Sequence, residues 1–158
     1  MYFVGRQHEI ARIRKDLEHG DNVIVCGKYD IGRTSLLKHI ATLTQDRWRF
    51  IFVDFSPPGG VVCRDLFAQL FPKLRDKRKG AYLPYKSTRF QIVHLELDDK
   101  RQHVLVLDNI AKLSAQKLNL MQYLAWEKRF RLVAGLDPPL EPRHPHHEEF
   151  VQVGTEDR

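Results

Sequence analysis

Residues 22–37 read NVIVCGKYDIGRTSLL, and the fold turns on them. Val23, Ile24, Val25 and Cys26 form a short apolar run of the kind that a strand buried in a parallel sheet requires. Gly-Lys-Tyr-Asp-Ile-Gly-Arg-Thr, Gly27 to Thr34, follows at once. From Ser35 the chain reads as a helix, with Leu36, Leu37 and Ile40 on one side. Strand, glycine-flanked loop and helix in that order are the context required by the pattern G-x-x-x-x-G-K-[ST]. One position departs from it: Arg33 stands where the pattern has lysine.

The residue types in this stretch have a physical logic. Gly27 and Gly32 allow backbone angles and close approaches that a Cβ would block. Loop amides then turn inward around a phosphate, and the helix N-terminus adds the positive end of its dipole. Thr34 offers a hydroxyl to Mg²⁺, and the basic side chain before it reaches the outer phosphates. Arg33 keeps the charge of lysine but is longer and planar, so the two are not interchangeable where geometry matters. The phosphate-contacting set is therefore Gly27, Lys28, Tyr29, Asp30, Ile31, Gly32, Arg33, Thr34 and Ser35.

The rest of the chain sets limits. Its 158 residues suit one domain with a sizeable core. Hydrophobic residues make up 42% and charged ones 29%, a globular composition, and no apolar run is long enough to span a bilayer. Two cysteines, Cys26 and Cys63, form no disulfide framework, so a reduced, cytoplasmic setting is expected. A net charge of +6 favours anionic partners, nucleic acid among them.

Read in order, Gln7 to Glu18 is a helix, with Ile10, Ile13 and Leu17 at helical spacing. Trp48 to Phe55, WRFIFVDF, is a second strand, broken by Ser56-Pro57-Pro58-Gly59-Gly60. Val61 to Leu70 is helical, and the basic run Lys73 to Gly80 reads as a solvated loop. Ser87 caps a helix to about Asp98, with Phe90, Val93, His94 and Leu97 on one face. Gln102 to Ile110, QHVLVLDNI, is a third strand; Ser114 to Lys128 is a helix with Leu118, Met121, Leu124 and Ala125 inward. Phe130 to Gly135 and Phe150 to Val153 are the last strands. Alternating strands and helices predict a three-layer αβα sandwich with a mainly parallel, five-stranded sheet.

The opening FVGRQHEI, the loop GKYDIGRTSLL and the strands VLVLDNI and RLVAG together resemble the nucleotide-binding core of AAA+ and STAND-type P-loop ATPases. The resemblance implies one P-loop domain over residues 1–158, ending where the family's helical lid would begin. It implies ATP or ADP with Mg²⁺, an adenine pocket at Phe3, Val4 and Gly5, and phosphate and metal contacts from Gly27, Gly32, Arg33 and Thr34. Asp108 matches the acidic Walker B position, which holds Mg²⁺ through water. An acid there also fits the tendency of open α/β sheets to gather ligands at the carboxyl ends of their strands.

Three departures bear on catalysis by Arg33, Asp108 and Asn109. Asn109 stands where many relatives carry a water-activating glutamate, and an amide positions water without taking its proton. On this reading Asn109→Glu increases turnover. Gly135-Leu136-Asp137 offers no clear Asn or Thr sensor. On this resemblance, the basic residue that the lid would offer to the nucleotide is expected to be missing. Arg143 falls where a relative could carry an arginine finger, though an exposed loop arginine is the favoured reading, while His144, His146 and His147 lack the second ligand cluster of a metal site. Three functions stay open: a weak or partner-dependent ATPase, a nucleotide-responsive interaction module that self-assembles or binds a protein partner, and a nucleic-acid-associated accessory protein.

Overall fold

A computed structural model describes residues 7–26, 32–77, 84–110, 112–136 and 151–152. Helix α1 (Gln7–Glu18) leads to β1 (Val23–Cys26), and α2 (Arg33–Leu43) follows the loop. Then come β2 (Trp48–Asp54), α3 (Gly59–Leu70), α4 (Pro72–Lys77), α5 (Tyr85–His94), β3 (Gln102–Asp108), α6 (Ala115–Trp126), β4 (Phe130–Leu136) and β5 (Val151–Gln152). The strands form one parallel sheet of five in the order β2-β3-β4-β1-β5. Parallel neighbours need crossover connections, and among the described residues α2, α3 to α5 and α6 supply those between β1, β2, β3 and β4.

Alternation along β3 divides the core. Val104 and Val106 face Ile13 and Leu17 of α1 and Leu36, Leu37 and Ile40 of α2. Leu105 and Leu107 face Val62, Leu66, Phe67 and Leu70 of α3, Ile92 of α5, and Leu120 and Leu124 of α6. A strand covered on both faces must be apolar at successive positions, which is why VLVL is continuous. The three-layer sandwich is as expected.

Several local readings are corrected. The second strand breaks after Asp54 as read, but helix α3 begins at Gly59 and not at Val61, so the two glycines form its first turn behind Pro58. The first part of the basic run, from Lys73, is helical and not loop, within α4 (Pro72–Lys77). The helix read from Ser87 starts at Tyr85 and stops at His94; Thr88, Ile92 and Val93 face inward and Phe90 is 56% exposed. In α6, Ser114 is the N-cap as its residue type predicts, but Leu120 and Lys117 are buried and Leu118 points out. The outward aromatic Phe90 stacks on His94, with ring centroids 4.2 Å apart.

Candidate functional site

The site lies at the carboxyl ends of β1, β3 and β4, where α2 begins. Gly32 adopts φ 76°, left-handed backbone in which a Cβ is strained, and its carbonyl accepts from Leu36 N at 2.8 Å as α2 starts. This conformation turns the chain into the helix and sets Arg33 and Thr34 in the first turn, above the sheet.

Thr34 Oγ1 donates to Asp108 Oδ2 at 3.3 Å. Arg33 lies over the end of β4: Nη1 donates to the Leu136 carbonyl at 2.8 Å and Nη2 is 3.6 Å from Asp108 Oδ1. Its side chain is 8% exposed and that of Asp108 29%, so the cation is enclosed while the carboxylate keeps an open side. Gly135 makes the space. A Cβ there would come 2.8 Å from Arg33 Nε, a distance that real Cβ atoms essentially never show.

Beside this group is a second one. The register pairs Asp54 on β2 with Asp108 on β3. Asn109, at φ 59°, donates through Nδ2 to Asp54 Oδ1 at 2.9 Å. Ser56 donates to the same carboxylate through its backbone N–H and its hydroxyl, each at 2.9 Å. The Asn109 amide, and after it the Ser56 N–H, hold the Asp54 carboxyl below its ordinary range. Lys117 reaches across from α6, its Nζ donating to the carbonyls of Phe55 at 2.7 Å and Ser56 at 3.3 Å.

Of the residues singled out from sequence, Arg33, Thr34, Asp108 and Asn109 are brought together, with Gly32 and Ser35 in the same turn of chain. Phe3, Val4, Gly5, Gly27, Lys28, Tyr29, Asp30, Ile31, Asp137, Arg143 and the three histidines lie outside the described residues. Sequence reasoning missed Asp54, Gly135 and Lys117. Asp54 carried the same signal as Asp108, an acid closing an apolar strand; the other two depend on packing that no local pattern states.

Among the described residues no group of three or more His, Cys, Asp or Glu side chains can hold a metal, and no helix is long and apolar enough to cross a membrane. Magnesium nonetheless fits the donors present. The Thr34 hydroxyl and the Asp108 carboxylate are hard oxygen ligands on two adjoining elements, and Mg²⁺ takes few protein ligands.

Sheet, left-handed Gly32 and the Arg33–Thr34–Asp108 group define the class: a P-loop NTPase core of AAA+ type. The model of the AAA domain family matches residues 15–143, and the chain belongs to that family. No curated protein sequence matches it. Among solved structures it resembles Drosophila ORC bound to AT-rich DNA and Cdc6, at TM-score 0.61 and 14% identity, over 84% of this chain and 46% of that one. C. elegans PCH-2 aligns at TM-score 0.48 and 14% identity over 94% and 41% of the two chains. Pif1 helicase from Bacteroides, in complex with ADP-AlF3 and ssDNA, aligns at 0.48 and 18% over 89% and 35%. The chain thus spans less than half the length of each, and the likeness to ORC is one of fold.

Proposed function

We propose that the chain is an ATP-binding domain that hydrolyses its nucleotide slowly, or quickly only with a partner. The carrying observation is the convergence of Arg33, Thr34 and Asp108, from α2 and β3, at the carboxyl end of the sheet. Thr34 and Asp108 would hold Mg²⁺, which when bound neutralises phosphate charge. Arg33 contributes a fixed cation, and the start of α2 contributes its amides and dipole. Adenine preference, and the contacts of Phe3, Val4, Gly5 and Gly27 to Ile31, follow from the family resemblance. Asn109 orients water with its amide and supplies no base, which supports slow turnover. A partner, or a second copy, supplying an arginine in trans is the natural accelerator. Cys26 and Cys63 are buried and not joined in a disulfide, which suits a reducing, cytoplasmic setting.

The interaction-module reading is favoured by the same Asn109: a site that binds without cleaving is a switch. Calorimetric titration with ATP and with ADP, with and without Mg²⁺, tests the binding on which both depend. Saturable heat is expected for both nucleotides; its absence for both removes the proposal.

A further inference from the structure

The carboxylate missing at position 109 stands on the neighbouring strand. Asp54 ends β2 as Asp108 ends β3, and the two are register partners. Asn109 Nδ2 donates to Asp54 Oδ1 at 2.9 Å. An ionised carboxylate only accepts hydrogen bonds, so the amide is held with its nitrogen toward Asp54 and its oxygen turned away. The backbone of Asn109 is fixed too. Its N–H donates to Asp108 Oδ1 at 3.0 Å, and its φ of 59° lies in the left-handed region that asparagine tolerates. Asp54 is secured in turn by the two bonds from Ser56, on a turn whose carbonyls Lys117 grips from α6.

We propose that Asp54 is a positioning residue for hydrolysis: it locks the Asn109 amide so that the amide oxygen accepts a hydrogen bond from the attacking water. This rests on the reading of the site as one that binds and cleaves a nucleoside triphosphate. An amide that orients water, without serving as its base, is an established way to assist phosphoryl transfer. The proposal also changes one expectation. Glutamate at 109 would meet Asp54 as a like charge, so Asn109→Glu alone does not raise the rate; the charge must first leave position 54.

The test uses the full chain, its phosphate release with ATP and Mg²⁺, and its thermal shift with the same ligand. In Asp54→Asn a neutral amide faces Asn109, which is then free to turn either way. We expect kcat to fall roughly tenfold or more while KM and the thermal shift stay within about twofold, the pattern of a misplaced reacting group. Asp54→Asn/Asn109→Asp rebuilds the pair with donor and acceptor exchanged, and recovers most of the loss. Unchanged kcat in Asp54→Asn, or no recovery in the double variant, overturns the proposal. So does a wild-type chain that binds ATP and releases no phosphate, which leaves the binding reading intact. A wild-type chain with no thermal shift instead removes the binding reading itself.

Discussion

Gly135 is a glycine because Arg33 lies where its side chain would be: a Cβ built there comes 2.8 Å from the guanidinium Nε. The two residues are about a hundred positions apart in the chain and meet where α2 crosses the end of β4. Arg33 is thus part of the sheet's architecture as well as a cation beside Asp108.

From that relationship follows a stability effect without any ligand. Arg33→Ala strands the Leu136 carbonyl and opens a cavity over Gly135, so unfolding in urea should show a loss of about 1–3 kcal/mol. Gly135→Ala should cost less, since Arg33 can shift, but should also weaken ATP binding. An Arg33→Ala chain as stable as wild type, with normal ATP affinity, would show that the side chain serves neither role.

Lys117 should matter more than its place on a helix suggests. It is 8% exposed and bonds two carbonyls of the turn that carries Asp54. Lys117→Met keeps the length and leaves both carbonyls without that donor, at a cost of about 1–3 kcal/mol in urea unfolding. A change below about 0.5 kcal/mol, the range of ordinary surface substitutions, would contradict this.

His103 should make the fold acid-sensitive. It is buried at the start of β3, its Nδ1 lies 2.8 Å from the Arg101 carbonyl, and its Nε2 has no partner. Burial, before any other cause, holds its pKa below the ordinary 6.5. The unfolded chain therefore binds the proton first, and stability falls as pH drops from 6.5 toward the lower folded value. His103→Phe should flatten the difference in urea midpoint between about pH 7 and about pH 5.5, above the carboxylate range. An equal pH dependence in the two proteins would place the proton elsewhere.

Much of this was legible in the chain. VIVC and VLVLD announce strands covered on both faces; the loop pattern groups Arg33 with Thr34, and only the family resemblance adds Asp108. The helical faces were less legible for a physical reason. In α6, Lys117 turns inward because two carbonyls need its donors, and in α5, Arg89 lies over the rings of Tyr85 and Tyr123. Long cations in such places displace the apparent apolar stripe, so spacing alone turns Leu118 inward and puts Phe90 on the face of Val93. Asp54 and Gly135 are visible as residues but not as partners, because which strand ends beside Asp108, and which lies under Arg33 of α2, depends on the sheet order.

The central claim is that Thr34 and Asp108 complete a Mg²⁺-nucleotide site, and thermal unfolding of wild type, Thr34→Ala and Asp108→Asn with ATP, with and without Mg²⁺, tests it most directly. A ligand bound only by the native state stabilises it by about 2.7 kcal/mol at a hundredfold excess over Kd. We predict a clear rise in Tm with ATP and Mg²⁺ for wild type, and a much smaller Mg²⁺-dependent part of that rise in both variants. An unchanged wild-type Tm at saturating nucleotide, or variants whose Mg²⁺-dependent rise equals that of wild type, would contradict the account.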